Sequence, residues 1–382
     1  MKKILPALLI ALLALFLRVF MAFNSPIDAD EPVYVTAAAQ LNQAMRQGDW
    51  NRILDSTFNT EHPQFYKLVY ATALLEGQPL PGLSITAIGH GPDYVSYWPK
   101  LLMLRDISAL LGAAAVFLLS LVSPLAGLFL AVDTLAIEYT SQVYLEALPA
   151  FTCMVALLAA LKAADAFRDQ PARRRKWIGW LVLSALALGM TAASKYMYAV
   201  VGIAIAIAVI LRLWKHKLPA LLGLAAWGVL SLAFFFLLDP VLWHAPLARL
   251  SASVQYSFSY EVGAHVTQVG YPWWQPIWWL LLPVTQQPAG TFFLPENGFF
   301  ALADSLIFVL ALVGLPRIFL KNKPFFIWLV VGMAFLLLWG TKWPQYMLLV
   351  LAPWCLAAGY GLEFLIEKFA LLTHQSRPQS TG

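Results

Sequence analysis

Three carboxylates lie close together near the start of the chain, in the sequence Ile27-Asp28-Ala29-Asp30-Glu31-Pro32. Acids this close repel one another, which raises their pKa values or recruits a cation, and both outcomes suit a general base or a metal site. The same residues also fit the start of a helix, with Asp30 as the N-cap and Pro32 in the first turn. The sequence leaves both roles open, and one residue can serve both.

A second polar segment, Asn59-Thr60-Glu61-His62-Pro63, leads into an aromatic helix start at Phe65 and Tyr66. Its side chains can act with the acids of the first segment only if other elements bring the two segments together. The architecture of the chain therefore decides what chemistry is possible.

The chain is too apolar for an ordinary soluble protein, since 60% of its 382 residues are hydrophobic and 12% are charged. Soluble domains carry about a quarter charged residues. The apolar runs around Leu181, Ile205 and Leu337 are long enough to cross a bilayer, which takes roughly 20 helical residues. They are continuous rather than alternating, which favours helices over a β-barrel. The predicted fold class is an all-α integral membrane protein, with the lipid bilayer as its surroundings.

The charged residues and cysteines give little support to other classes of protein. In a membrane chain, the distribution of the Lys and Arg residues behind the net charge of +5 reports orientation, and we expect no nucleic-acid partner. Both cysteines, Cys153 and Cys355, fall in apolar runs and indicate no disulfide framework.

About ten membrane-spanning helices are predicted, the first of them an uncleaved helix after Lys2 and Lys3. These two lysines place the N-terminus in the cytoplasm, and ten crossings put the other basic clusters and the C-terminus on the same side. We expect a bacterial inner membrane as the location. The predicted spans are 4–23, 101–121, 124–140, 146–164, 177–193, 197–213, 218–238, 298–315, 325–340 and 346–365.

Two long segments, 24–100 and 239–297, then face outward. The first contains a pattern around Val33 to Met45 that is typical of amphipathic helices lying on the membrane. The second contains a Trp-rich stretch, 276–284, that is too short to cross and favours an interfacial helix. We expect one domain over residues 1–373 and a disordered tail over 374–382.

Several motifs together resemble the C superfamily of membrane glycosyltransferases (GT-C). The similarity is greatest to the branch that contains protein O-mannosyltransferases and lipid A aminoarabinose transferases, although that second group typically has Lys-Pro-Pro where this chain has Glu61-His62-Pro63. The motifs, in chain order, are Arg18 in the first helix, Asp30-Glu31 with Tyr34, Gly48-Asp49-Trp50, Glu61-His62-Pro63 with Phe65-Tyr66, Ala193-Ser194-Lys195-Tyr196, Asp239-Pro240 with Trp243 and Pro246, and Trp343-Pro344-Gln345-Tyr346.

The resemblance implies a polyprenyl-phosphate sugar as donor and Asp30 as the base that deprotonates an acceptor hydroxyl. A carboxylate within hydrogen-bond reach can take that proton, and inversion at the sugar needs no covalent intermediate. Asp28 is the alternative base, and Glu31 is expected to orient Asp30 or to bind a hydroxyl. The acceptor, a glycan, a lipid or a protein, stays open.

The departing lipid phosphate needs positive charge or helix N-terminal amides nearby. Lys195 and Lys342 are candidates because both lie at outer helix ends, although a lysine there can also extend to the interface without any role in binding. Further candidates are His62, Lys67, His244 and Arg249. The residues expected to bind substrate are Tyr34, Glu61, Tyr66, Glu138, Glu146, His244 and Tyr346.

No cofactor is required by the pattern. Asp30 with Glu138 or Glu146 could supply oxygen ligands to a divalent cation, although nothing in the spacing demands one. Arg18 is expected to form a structural ion pair with Asp133 or Glu138. One further cluster is aromatic. Its rings could stack on a sugar or guide the lipid, but a role as an aromatic belt at the membrane interface is favoured. The cluster consists of Tyr271, Trp273, Trp274, Trp278 and Trp279.

Two other functions remain as alternatives. A transporter or flippase would also place charges inside a helix bundle, but it commonly shows repeated halves and a site near the midplane. A noncatalytic assembly or sensing protein would tolerate replacement of Asp30. The gathering of acids at the outer edge favours the glycosyltransferase.

Overall fold

The computed structural model is helical throughout the residues that it describes and contains no β-strand among them, which confirms the predicted fold class. Parts of both outward segments, the end of the predicted interfacial helix and most of the predicted tail lie outside these residues. The described ranges are 4–75, 93–169, 174–282 and 298–375.

Seventeen α-helices and three 3₁₀ turns make up the described part of the chain. The turns are Tyr196–Val200, Pro240–Leu242 and Pro344–Met347. The helices are α1 (Ile4–Asn24), α2 (Glu31–Gln47), α3 (Trp50–Leu54), α4 (Phe65–Ala73), α5 (Asp93–Val122), α6 (Pro124–Val132), α7 (Thr134–Tyr139), α8 (Ala147–Asp169), α9 (Arg174–Ser194), α10 (Val201–Arg212), α11 (Lys217–Leu238), α12 (Pro246–Glu261), α13 (Ala264–Val269), α14 (Gln275–Leu281), α15 (Gly298–Lys321), α16 (Lys323–Leu338) and α17 (Leu348–Gln375).

Seven helical segments of the described chain are long and apolar enough to cross a membrane. Two more, Tyr196–Arg212 and Lys323–Leu338, are apolar but shorter. These nine correspond to nine of the ten predicted spans, so the approximate count holds. The remaining predicted span, 124–140, forms the two short helices α6 and α7.

The break between α6 and α7 lies at Asp133. The carboxylate of Asp133 accepts a hydrogen bond from the Ala136 N–H at 2.9 Å and caps the start of α7. Asp304 on α15 accepts hydrogen bonds from both the N–H and the hydroxyl of Thr134. Two buried acids thus satisfy backbone groups that the break leaves free and join α15 to α7.

Small residues let the spanning helices approach closely. A Cβ at Gly314 of α15 would overlap the carbonyl oxygen of Ala357, and one at Gly361 of α17 would overlap that of Leu310. Because lipid gives no hydrophobic drive for helices to associate, such close backbone contact is a main source of their cohesion.

Arg18 is buried inside the bundle. Its guanidinium donates hydrogen bonds to Thr140 Oγ1 at 2.7 Å and to carbonyl oxygens, rather than to the carboxylate of Asp133 or Glu138 as predicted; the carbonyls belong to Ala14, Leu130 and Ala131. A Cβ at Gly112 would overlap both Thr140 and Arg18. Arg18 therefore joins α1 to the α6–α7 region through uncharged acceptors.

The connections between successive spanning helices alternate between two ends of the bundle. One end carries the linkers after α1, between α7 and α8, between α9 and α10, after α11, and between α16 and α17; we call it the cavity end. The opposite end carries exposed basic residues, including the ion pairs Arg212–Asp165 and Arg317–Glu367, and we call it the basic end.

The predicted amphipathic segment forms α2, which is mostly buried and packs against α4. It ends at Gly48, whose φ of +65° is a left-handed conformation that glycine adopts readily. The predicted interfacial stretch forms α14, with Trp278 exposed and Trp279 buried. Both segments lie at the cavity end and pack on the bundle.

Candidate active site

A cavity of about 730 Å³ opens at the cavity end of the bundle. Its walls come from the linkers between the spanning helices and from α2 and α12. Eight residues predicted for the site line it: Asp28, Asp30, Tyr34, Glu61, His62, Glu138, Lys195 and Tyr346. Six others are placed elsewhere: Glu31, Tyr66, Lys67, Glu146, His244 and Lys342.

Asp30 presents an uncommitted carboxylate to this cavity. It occupies the N-cap position of α2, yet its side chain makes no capping hydrogen bond, and no other described residue donates one to it. Burial raises its pKa most, the negative charge of Asp28 adds to the rise, the positive charge of Lys195 opposes both effects, and the resulting pKa is about 6. The carboxylate is thus ionised at neutral pH and free to accept a proton.

Asp28 is engaged with its surroundings. Its Oδ1 accepts hydrogen bonds from the Asp30 N–H at 2.9 Å and from the Tyr144 hydroxyl at 2.5 Å. These bonds fix the turn that carries Asp30, and they leave Asp28 less available than its neighbour to act as a base.

Glu31 is fully buried and points away from the cavity, so direct contact with a substrate hydroxyl does not fit its position. Both its oxygens bind Arg105, at 2.8 and 2.5 Å. They also accept the N–H groups of Val143, at 2.8 Å, and Asp28, at 3.0 Å. Glu31 therefore fixes the segment that holds Asp28 and Asp30.

Arg105 on α5 was missed in the sequence. Besides Glu31, its guanidinium binds the carbonyl oxygens of Ala22, Ser25 and Pro26, at 2.6, 3.0 and 2.8 Å. It therefore organises the whole turn after α1. An arginine inside the predicted span 101–121 was the available signal, because intramembrane charges have specific roles by default.

Lys195 lies at the junction of α9 and the following 3₁₀ turn and lines the cavity. Its ammonium forms an ion pair with Glu146 and lies 5.0 Å from the centre of the Tyr346 ring. Glu146 is fully buried behind the lysine, and its Oε2 has no hydrogen-bond partner among the described residues. Glu146, predicted to bind substrate, instead contacts Lys195, because its side chain points into the bundle.

His62 lines the cavity, but it carries no positive charge at neutral pH. Burial lowers its pKa well below the usual value, and the nearby charges of Lys195 and Lys67 lower it further. Lys67 does not reach the cavity: its ammonium binds the carbonyl oxygens of Asn59 and His62, at 2.7 and 2.9 Å. Lys67 thus holds the turn that presents His62, and this corrects its predicted contact with phosphate.

Four further predicted residues also lie away from the cavity. Lys342 binds the carbonyl oxygens of Trp339 and Leu337, which are freed where α16 ends. Tyr66 is buried, stacks on Tyr70 and bonds Ser108 at 3.2 Å. His244 is exposed and lies 3.2 Å from the carboxylate of Asp55, and Arg249 lies near the same carboxylate at 3.9 Å.

Other lining residues were missed because they come from distant parts of the chain. Tyr256 and Tyr260 on α12, His265 on α13, and Trp343 add aromatic surface to the cavity. Tyr196 joins them, and its hydroxyl donates to the buried carboxylate of Asp239 at 3.2 Å. Only the Trp343 and Tyr196 motifs gave any signal in the sequence.

The described residues contain no group of three or more His, Cys, Asp or Glu side chains arranged to hold a metal ion. Glu146, one of the two proposed partners of Asp30 in a cation site, is committed to Lys195. The other proposed partner, Glu138, lines the cavity together with Asp30.

A second cavity, of about 810 Å³, adjoins the first. It is lined mainly by apolar side chains of α9, α11 and α12, and four residues border both cavities: Tyr196, Ser257, Trp339 and Thr341. A polar chamber and an apolar groove thus meet at one edge, which suits an amphiphilic ligand.

A sequence model of the family named dolichyl-phosphate-mannose-protein mannosyltransferase matches residues 41–250, more than half of the chain. The chain belongs to this family. The matched range contains His62, Glu146 and Lys195, whereas Asp28 and Asp30 precede it. Comparison with curated protein sequences gave no significant match.

Solved membrane glycosyltransferases share the fold. ArnT from Cupriavidus metallidurans bound to undecaprenyl phosphate is 17% identical with a TM-score of 0.53, over 94% of this chain and 59% of that chain. The oligosaccharyltransferase of Archaeoglobus fulgidus in the apo form is 14% identical with a TM-score of 0.57, over 97% and 51%. This chain therefore spans about half to three fifths of their length. The resemblance to the C superfamily is confirmed.

Proposed function

We propose that this protein transfers a sugar from a polyprenyl-phosphate donor to a hydroxyl group of an acceptor at the outer face of a membrane. One observation carries the proposal: the free carboxylate of Asp30 and the ammonium of Lys195 line the same cavity, next to an apolar groove. A base, a cation for phosphate and a place for lipid are the three parts that such a reaction needs.

In the proposed reaction, Asp30 takes the proton of the acceptor hydroxyl as its oxygen attacks the anomeric carbon of the sugar. The bond from that carbon to the phosphate oxygen breaks, and its electron pair leaves with the lipid phosphate. Attack from the face opposite the phosphate inverts the anomeric centre in a single displacement. The products are the glycosylated acceptor, polyprenyl phosphate and protonated Asp30, which releases its proton to water.

Lys195 is proposed to stabilise the charge that develops on the departing phosphate. Among the described residues, Lys195 is the one that brings a positive charge to the cavity wall. His62 is kept neutral, and the ammonium of Lys67 binds carbonyl groups instead. Glu146 and the Tyr346 ring hold it in position from behind and from the side.

The polyprenyl chain of the donor is proposed to lie in the second cavity, whose apolar wall meets the polar cavity at Tyr196 and Trp339. The ArnT of similar fold has been solved with undecaprenyl phosphate bound, which supports a lipid phosphate as the donor type. The exposed basic residues at the opposite end of the bundle favour the cytoplasm for that end, so the cavity would face outward.

A transfer assay with the purified protein and a panel of polyprenyl-phosphate sugars tests the proposal. Asp30→Asn should lower turnover by about 100-fold or more, since a positioned base contributes roughly 10² to 10⁴ in rate. Asp49→Asn is the matched control, because asparagine caps the start of α3 as well as aspartate does.

Transfer by the native protein together with unchanged turnover of Asp30→Asn would remove Asp30 as the base. Failure of the native protein to transfer sugar from any donor would contradict the glycosyltransferase proposal and favour the transport of a lipid-linked substrate.

A further inference from the structure

Aromatic rings follow one another along one side of the candidate active-site cavity. We call this set the aromatic row; it consists of Tyr256, Tyr260, His265, Trp343 and Tyr271. The distances between the centres of successive rings are 5.9, 5.9, 5.3 and 6.2 Å. The first four members line the cavity, and the fifth packs edge-on against the buried Trp279 at 5.2 Å. The row therefore runs from the cavity wall to an end that is anchored on a buried ring.

The inner end of the row shares a cavity with the proposed base, since Asp30, Tyr256 and Tyr260 all line it. Burial raises the pKa of Tyr260, the negative charge of Asp30 adds to the rise, and the resulting pKa is about 12. Burial also raises the pKa of Tyr256, and the charges of Glu61 and Asp30 add to that rise. A ligand stacked on Tyr256 or Tyr260 would thus occupy the same cavity as the Asp30 carboxylate.

Two rings of the row are open to a ligand. Tyr256 is 47% exposed and His265 is also exposed, and both border the cavity, whereas the other three rings are half-buried. Interface-belt rings such as Trp273 and Trp278 are exposed too, but they do not line the cavity. Position in the wall of the cavity separates the first four rings of the row from an ordinary belt.

The polar side chains of the same cavity suit a carbohydrate. Carboxylates accept hydrogen bonds from sugar hydroxyls, and amides both accept and donate them. Besides Asp28 and Asp30, four such groups border the cavity, from Asn59, Glu61, Glu138 and Gln345. Aromatic faces stack on the apolar faces of sugar rings, and each step along the row is close to the width of one sugar ring.

An isoprenoid chain fits the row less well than a carbohydrate, because it has the separate apolar groove, whose wall contains none of the five rings.

We propose that the aromatic row binds the acceptor and that the acceptor is a carbohydrate chain of several sugar units. Its terminal hydroxyl would lie at Asp30 and the following sugars would stack outward along the row. This inference rests on the proposed function and adds the chemical class of the acceptor.

The test measures transfer from an active polyprenyl-phosphate sugar to manno- and gluco-oligosaccharides of one to five units. For the native protein, kcat/KM for the preferred series should rise with length, by about 3-fold to 10-fold for each ring engaged. His265→Ala and Tyr271→Leu should lower kcat/KM more for the pentasaccharide than for the monosaccharide. Trp278→Ala, which removes an exposed ring outside the row, should leave the length dependence intact.

A second measurement does not depend on turnover: the affinity of the purified protein for the preferred pentasaccharide without donor, followed by calorimetry. This affinity should fall by about 3-fold to 10-fold in His265→Ala, because one ring of the row is lost. The residue is exposed, so the change leaves the helices in place.

Three results would overturn the inference while leaving the transferase intact. The first is a dependence of kcat/KM on oligosaccharide length that the row variants do not change. The second is transfer to a Ser/Thr-rich peptide but to no oligosaccharide. The third is a loss of kcat/KM in the row variants that varies with the length of the donor's polyprenyl chain. Absence of transfer from every donor would instead contradict the proposed function on which the inference rests.

Discussion

Asp28, Asp30 and Glu31 are neighbours in the chain, but their carboxylates have different surroundings. Glu31 is buried and bound by Arg105, Asp28 accepts two hydrogen bonds, and Asp30 faces the cavity with none from the described residues. Each hydrogen bond to a carboxylate favours its charged form and weakens it as a base. Their different roles therefore follow from packing: Asp28 and Glu31 stabilise the turn, and Asp30 remains available as the proposed base.

At the same scale, replacement of Glu146 should weaken donor binding. In Glu146→Gln the buried ammonium of Lys195 lacks the carboxylate that holds it at the cavity wall. The KM for the donor should therefore rise by about tenfold, which corresponds to about 1.4 kcal/mol of binding free energy.

The acceptor KM, measured in the same assay, should change little. Asp165→Asn, which removes the acid of an ion pair at the basic end, is the control and should behave as the native protein does. An unchanged donor KM in Glu146→Gln would contradict the proposed link between Glu146 and the phosphate.

The sequence predicted part of this site. Asp30 and Lys195 were found because each lies where a predicted span ends, and such positions face the same end of the bundle. Lys342 lies at a similar position and Lys67 lies in the first outward segment, but the ammonium groups of both turn to nearby carbonyls. That choice depends on which backbone groups the folded chain leaves free, and the sequence does not contain that information locally.

The element that holds the site is the turn after α1, which is fixed from α5 by Arg105. Five hydrogen bonds of one guanidinium bind the turn and Glu31. Both side chains of this ion pair are fully buried. Such a pair adds little net stability compared with apolar residues, but it becomes costly when one partner is removed.

The Arg105→Met variant should accordingly lose about 3 to 5 kcal/mol of stability, because it leaves Glu31 buried without a counter-charge. The double variant Arg105→Met, Glu31→Met should be less destabilised than the single one. Thermal unfolding in detergent measures both, and turnover should fall in both because the turn that carries Asp30 loses its support. A double variant less stable than Arg105→Met would contradict this account.

Over the whole molecule, polar linkers gather at one end of the bundle and exposed basic residues at the other. The run lengths of apolar residues predicted nine of the spanning helices, since the thickness of a bilayer fixes the length of a helix. They did not predict the break at Asp133, because the partners that stabilise it include Asp304, far away in the sequence. The aromatic row was missed for the same reason.

The expected orientation gives a prediction for the intact cell. Both native cysteines are buried, so they should react little with a thiol reagent. Labelling then reports on a single cysteine introduced at an exposed position. A membrane-impermeant thiol reagent should label Asp55→Cys at the cavity end in intact cells. It should label Lys215→Cys, at the basic end, only after the membrane is opened. The reverse pattern would place the cavity in the cytoplasm.

The role of Asp30 as the base is tested most directly by the pH dependence of kcat/KM for sugar transfer. The pKa of its carboxyl is about 6, and only the ionised form can accept a proton, so the rate should be level at neutral pH and fall about tenfold per unit below pH 6. Because the charge of Asp28 raises that pKa, Asp28→Asn should move the fall to lower pH. A profile without this acidic fall, or one that Asp28→Asn leaves in place, would contradict the account.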